Sequence, residues 1–346
     1  MSEYREIQGT AIQSLSSSTG TLTGQIWYDN SAGAFKIQTF GALNSFSSTP
    51  NLNTARGDVR GAGNGASGFF AGGNTPTPGA DIATENWDGS AWTTSGNMNG
   101  PGFNGGGAFG TQPAGVAAYG APGGGGTSGR NNTEEYNGST WTNVNNVINP
   151  TRQATVGLGT QTAGIVFGGF TGPAAPAGST NSTVEYDGTC WTTGSALAQA
   201  RQGTAGAGDT SAQTSCLAIM GMEEVYGPGA QTNKNNVEEY NGSAWTAKNG
   251  LNTARGYGAA LGNTTRAVAV GGNVSPNSQV ETWDGTCWST NPTSAPRACR
   301  NFAVTGTFPG VFSTGTGIFG GGPPGAGNGT FEWTFDSEQT KTLTVT

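Results

Sequence analysis

Trp87-Asp88-Gly89-Ser90-Ala91-Trp92 is the first of five copies of one short phrase. It returns as Tyr136-Asn137-Gly138-Ser139-Thr140-Trp141, Tyr186-Asp187-Gly188-Thr189-Cys190-Trp191, Tyr240-Asn241-Gly242-Ser243-Ala244-Trp245 and Trp283-Asp284-Gly285-Thr286-Cys287-Trp288. Asp-Gly and Asn-Gly tolerate positive φ and favour tight hairpin turns. An aromatic before the turn and Trp-Thr or Trp-Ser after it read as two strands meeting there. The closing tryptophans, Trp92, Trp141, Trp191, Trp245 and Trp288, lie 49, 50, 54 and 43 residues apart. A period near 50 residues suits a propeller blade and exceeds a leucine-rich or ankyrin repeat.

The unit extends upstream of this phrase. A Glu precedes each first aromatic by one or two residues: Glu85, Glu134, Glu185, Glu238 and Glu281. Before it comes an apolar strand ending in glycines, as in Phe69-Phe70-Ala71-Gly72-Gly73, Ile165-Val166-Phe167-Gly168-Gly169 and Ala267-Val268-Ala269-Val270-Gly271-Gly272. Paired glycines let neighbouring backbones approach closely. An Arg opens every unit but the second: Arg56, Arg152, Arg201, Arg255 and Arg297; there Gly100-Pro101-Gly102 stands instead. Leu-Asn-Thr-Ala-Arg-Gly occurs verbatim at 52–57 and 251–256. The glycine doublet is replaced by Gly123 to Gly126 in the second unit and spoiled by Ile219-Met220-Gly221-Met222 in the fourth. Each unit thus reads as four strands: an Arg turn, an apolar strand, a Gly-Gly strand, a variable loop, a Glu-bearing strand, the Asp-Gly turn and a Trp strand. A sixth unit keeps Ile318-Phe319-Gly320-Gly321-Gly322, and its Phe331 to Asp336 is expected to pair with Lys341 to Val345.

Composition agrees with an all-β chain. Gly contributes 62 of 346 residues and Pro 16, yet 9 Trp, 8 Tyr and 15 Phe argue against disorder. Only 14 basic and 21 acidic residues are present, too few for the solvated faces of a helical protein. The absence of histidine removes His-dependent bases, Ser-His-Asp triads and His-ligated metals. A net charge of −7 and a pI near 4.6 oppose nucleic-acid binding. No apolar run approaches the roughly 20 residues of a membrane span, and the start of the chain has no signal-peptide core, so a soluble protein made in a cytoplasm is expected.

The whole pattern resembles the kelch repeat, marked by a double glycine and a tyrosine–tryptophan pair about six residues apart. The resemblance implies a kelch-like β-propeller over 51–346, with six four-stranded blades. Residues 1–50 do not make a whole blade. Gly24 to Ile37 reads as a hairpin that caps the propeller, joins a seventh blade or packs on another protein; a separate attachment or capping segment is the preferred reading. Ile12-Gln13-Ser14-Leu15 with Gly24-Gln25-Ile26-Trp27-Tyr28-Asp29, and Glu239 to Thr246 with Leu251 to Gly256, are similar to kelch-like proteins of marine bacteriophages, cyanophages among them. That likeness implies a virion structural protein on a tail or fibre, synthesised in the host cytoplasm. Its partners would be other virion proteins and a host-surface glycan or protein, and copies would form a homo-oligomer on the particle.

No catalytic residue, metal ligand or cofactor is expected. A Glu–Arg set repeated in every blade fits a structural contact between blades better than paired-carboxylate catalysis, which is needed once. Cys190 and Cys287 share one turn position and read as small packing residues; all four cysteines read as free thiols. The loops between the Gly-Gly and Glu strands should emerge on one face, where Phe170, Tyr226 and Lys234 are the large or charged candidates for binding. Two other readings stay open: a cellular kelch-type interaction adaptor, and a glycan-active enzyme, for which Asp81, Glu223 and Glu224 are the loose acidic candidates.

Overall fold

A computed structural model describes residues 13–15, 26–40, 45–75, 82–100, 102–122, 129–148, 150–171, 178–208, 212–224, 231–305, 316–322, 327–335 and 338–342. These form seven four-stranded sheets and no helix. Six of the sheets are the blades of a propeller. Their first strands are Arg60–Gly63, Gly107–Thr111, Val156–Thr160, Ala205–Gly208, Ala259–Gly262 and Phe302–Thr305. Each touches the first strand of the next blade, and the sixth touches the first, so the ring is closed around one axis. Glycine permits this approach: a Cβ on Gly157 would lie 2.8 Å from the ring of Phe109 and 3.0 Å from the backbone of Ala108 in the blade before it.

In the first blade Arg60 pairs with Ala71, Ala71 with Thr84 and Thr84 with Ser95, so these four residues are level. The loop after Ala71 and the linker after Ser95 therefore leave from one end of the ring. The Asp-Gly turn leaves from the other. It is a four-residue loop between paired aromatics, Trp87 and Trp92, in which Asp88 Oδ1 accepts the backbone N–H groups of Ser90 and Ala91 at 2.8 and 2.7 Å. Gly89 takes φ 93°, a value that needs glycine. Those hydrogen bonds also hold the Asp88 carboxyl below its usual range.

In the second, third and fourth blades the repeated aromatics lock the blade to the one before. Trp141, Trp191 and Trp245 donate their indole N–H to Thr84, Thr133 and Thr183 of the preceding blade at 2.8, 3.1 and 3.1 Å. Trp288 has no such acceptor, because Val237 occupies the corresponding position. Tyr186 and Tyr240 donate to Glu135 and Glu185 of the preceding blade at 2.8 and 2.6 Å. Burial and these carboxylates push both phenols up.

The sixth blade differs from its sequence expectation. Its outer strand is Ser45–Thr49, which pairs antiparallel with Thr330–Thr334. Glu338–Thr342 instead joins Ala34–Phe40, in a separate sheet with Gln13–Leu15 and Ile26–Asp29. The boundary at residue 50 is thus crossed twice: an early strand finishes the propeller, and a late strand finishes the terminal sheet. Swapping the first and last strands in this way gives the last blade its fourth strand and ties the two ends of the chain together. Phe46 secures the join, with its ring 4.6 Å from Trp333 and 5.1 Å from Phe331, both edge-on. Phe46→Ala is expected to lower stability by about 3 kcal/mol, the lower end for a buried Phe because Phe46 is half-buried. Thermal unfolding followed by tryptophan fluorescence measures this, and an unchanged midpoint would contradict Phe46's role in closure.

Candidate functional site at the loop-bearing end

Two residues, an Arg before the first strand and a Glu in the third, organise this end of the ring. In the first blade Arg56 and Glu85 are both fully buried and form an ion pair of 2.6 Å. Glu85 also accepts the backbone N–H of Asn53 and Thr54 at 2.7 and 3.1 Å. Arg56 donates to the carbonyls of Gly72 and Ala83 at 3.2 and 2.6 Å, tying together the two stems of the variable loop. Arg201–Glu238, at 2.9 Å, and Arg255–Glu281 repeat the pair in the fourth and fifth blades. Burial pulls Arg56 and Arg201 down, and their carboxylates oppose it. The contact lies within a repeat, rather than between blades.

Three blades depart from it. Glu185 is not the equivalent of Glu85: it sits one residue later and serves Tyr240, while Val184 takes the buried place. Arg152 therefore has no carboxylate and donates to the Tyr119 hydroxyl at 2.5 Å, with its guanidinium 4.5 Å from that ring's centre. Burial pushes the Tyr119 phenol up to about 12. Tyr119 and Gly120, rather than Gly123 to Gly126, replace the glycine doublet; 123–128 lie outside the described residues. In the second blade the carbonyl that takes the Arg's backbone role belongs to Phe103, and Glu134 is satisfied by Asn99 and Gly100 N–H at 2.7 and 2.8 Å. In the sixth blade that role falls to Cys299; Arg297 lies two residues earlier and donates to the carbonyls of Gly321 and Gly329.

Two residues beyond the Arg position, each blade contributes one residue with positive φ: Asp58 (51°), Gly105 (66°), Ala154 (54°), Gly203 (56°), Tyr257 (59°) and Asn301 (56°). Their backbones form a closed hydrogen-bonded ring about the axis. Asp58 N donates to Asn301 O at 2.8 Å, Asn301 N to Tyr257 O at 3.0 Å and Tyr257 N to Gly203 O at 2.7 Å. Gly203 N donates to Ala154 O at 3.2 Å, Thr155 N to Gly105 O and Gly105 N to Asp58 O, both at 3.1 Å. Inside the first strands runs an axial cavity of about 110 Å³, with Arg60, Thr155, Tyr257 and Asn301 lining its loop-bearing end.

The side chains of this ring are unevenly distributed. Blades five, six and one carry Tyr257, Asn301 and Asp58; blades two, three and four carry only Gly105, Ala154 and Gly203. Arg60 and Arg300 stand close enough to act on both Asp58 and Tyr257, and Glu224 acts on Tyr257. Burial raises the Asp58 carboxyl, against the pull of Arg60 and Arg300. Burial, with Glu224 and Asp58, pushes the Tyr257 phenol up to about 12, so its hydroxyl is a neutral donor and acceptor. None of Asp58, Arg60, Tyr257, Asn301 and Arg300 stood out in the sequence. The available signal was a position that varies between Gly, Ala, Asp, Tyr and Asn inside an otherwise repetitive unit.

The three loop candidates fare differently. Phe170 is buried, its backbone bridged to Gln153 and Ser179. Lys234 lies in a strand, Thr232–Tyr240, and pairs with Glu223 at 2.6 Å. Tyr226 and Asp81 lie outside the described residues. Glu224 accepts from the buried Gln202 amide. Cys190 and Cys287 are exposed rather than packed, and Cys216 and Cys299 are buried; all four are free thiols. Among the described residues no group of three or more Cys, Asp or Glu is placed to hold a metal ion.

No family model matches the chain, and no curated protein matches its sequence. By shape it is similar to the solved structure of YjhT, with a TM-score of 0.63 and 13% identity over 86% of this chain and 100% of that one. The likeness is one of fold. With 234 solved chains matching, the ring alone singles out no activity, and function has to be argued from the site.

Removing one partner of the Arg201–Glu238 pair, as in Arg201→Met or Glu238→Leu, is expected to cost about 3–5 kcal/mol, because a buried charge is left unpaired. The double variant should recover most of that loss in chemical denaturation; a double variant as unstable as the singles would show the pair to be irreplaceable. Asp58 has a folded-state pKa above its unfolded value, so its contribution favours folding at low pH and is lost as pH rises through the folded value. Asp58→Asn is therefore expected to unfold at a higher temperature than the parent at pH 7, with the gap closing towards pH 4. A gap that widens on acidification would refute the burial of that charge.

Proposed function

We propose that the chain is a non-enzymatic attachment module that docks through its terminal sheet and presents the loop-bearing end of the propeller to a cell surface. The observation that carries this reading is the molecule's two-ended construction. Ser45 and Thr334, where the chain passes between ring and terminal sheet, are paired at the Asp-Gly end, opposite the loops. The terminal sheet bears Ile26, Tyr28 and Phe35 in the open; with Ile148 these are the exposed large apolar side chains among the described residues. Tyr28 and Phe35 are cross-strand partners whose rings meet edge-on at 5.2 Å. An apolar face of this kind on a small sheet suits a protein partner.

The resemblance to kelch-like proteins of marine bacteriophages supports other proteins of a virion, on a tail or fibre, as the docking partner, with copies following the particle's symmetry. The pairing of Glu223 with Lys234 and of Glu224 with Gln202 leaves neither of these two carboxylates free, which supports the non-enzymatic reading. The test is binding of the labelled full-length protein to intact cells of a panel of marine bacteria. Saturable binding to some strains, unchanged by Tyr28→Ser with Phe35→Ser, is expected. Binding to none of a panel that includes the phage's host, or binding lost with the terminal-sheet variant, would overturn it.

A further inference from the structure

The axial ring is a backbone device that glycine would serve best. Positive φ is unfavourable for a non-glycine residue, and three blades carry nothing larger than Gly or Ala there. Asp and Asn tolerate the conformation; Tyr257 has no such excuse. Its three larger side chains are on adjacent blades, five, six and one; Tyr257 and Asn301 line the channel mouth with Arg60, and Asp58 stands close enough to act on Arg60 and Tyr257. Their polar atoms are not used up by the fold. Arg60 donates Nε and Nη1 to the carbonyls of Gly106 and Val59 at 3.0 and 3.1 Å, leaving Nη2 without a partner among the described residues. Asn301 Oδ1 is buried with no hydrogen bond. The Asp58 carboxylate and the Tyr257 hydroxyl likewise have none among the described residues.

Charge decides the ligand's class. A ligand anion at this mouth would meet Asp58 and Glu224; a ligand cation would meet Arg60 and Arg300. A ligand whose groups both donate and accept satisfies all of them, and hydroxyl groups do this. On the other half of the ring Gly105, Ala154 and Gly203 bring no polar side chain, and the Tyr257 ring lies over Gly203, whose Cβ would come within 2.8 Å of it. We propose that the mouth of the axial channel binds one uncharged sugar residue at the end of a surface glycan, through hydroxyl hydrogen bonds to Asp58, Arg60, Tyr257 and Asn301. This rests on the loop-bearing end being the face turned to the cell.

The test uses glycine substitutions, because glycine suits φ near 55° and removes the side chain without disturbing the backbone. Calorimetric titration of the full-length protein with methyl glycosides of neutral hexoses and N-acetylhexosamines should give binding to at least one, and that glycoside should compete with cell binding. Asp58→Gly, Tyr257→Gly and Asn301→Gly should each weaken the affinity about tenfold while leaving the unfolding temperature unchanged or raised. Ala154→Gly, on the bare side, should leave affinity alone. Unchanged affinity in the triple glycine variant, or binding confined to uronic acids, would overturn the site or its class. Cell binding with no neutral glycoside bound sinks this proposal and spares the attachment reading; glycoside binding without cell binding does the reverse.

Discussion

Everything in this molecule depends on a ring that closes. This propeller leaves its last blade one strand short unless a strand from the other end of the chain completes it. Here Ser45–Thr49 does so, and Phe46 plugs into an aromatic cluster of Phe319, Phe331 and Trp333 in the sixth blade. The same blade lacks the buried Arg–Glu pair: Cys299 and Phe331 stand in those places. Where the first, fourth and fifth blades hold their loop stems with a buried ion pair, the closing blade holds its own through Arg297 and two carbonyls and seats its outer strand by aromatic packing. A strand arriving from far away in sequence gains more from a desolvated aromatic contact than from aligning two charges that must first lose their water.

The architecture was largely legible because its cause is local. An Asp or Asn whose Oδ1 caps two backbone N–H groups, followed by a Gly at φ near 90°, makes the same turn wherever it occurs. Five such turns flanked by aromatics therefore announce five blades. Ser45 to Thr49 was not legible, because it has neither the turn nor the tryptophan; its membership in the sixth blade exists only through pairing across 281 residues, as between Thr49 and Thr330. The last strand misled for the converse reason: Glu338 to Thr342 follows the blade in sequence and pairs elsewhere.

The pairing of Arg with Glu was legible as a repeat and illegible as a register. In the strand Thr183–Tyr186 the Glu is displaced by one residue, and period-two alternation sends it to the opposite face of the sheet. There it meets the tyrosine of the next blade instead of an arginine. Two glutamates one residue apart thus do unrelated work, one clasping a loop and the other joining blades, and the third blade keeps only the second. Arg152 shows what such a loss entails: a buried cation deprived of its carboxylate survives on two carbonyls, a phenol oxygen and an aromatic face.

Function follows from where the repeat is allowed to vary. Positions that close turns or approach neighbouring strands are constrained by space and backbone, and a buried-charge position that varies has to find other partners, as Arg152 does. The axial ring is constrained only in its backbone: any residue able to hold a φ near 55° completes the hydrogen-bonded circle, and its side chain is free to differ. That freedom makes the channel mouth the place where a pseudo-symmetric scaffold can become asymmetric at small structural cost. Glycine or alanine on three consecutive blades and Tyr257, Asn301 and Asp58 on the other three concentrate polar atoms on one side of the axis. A six-fold frame with a one-sided mouth can fix the orientation of what it holds, which a symmetric mouth of the same six backbones could not do.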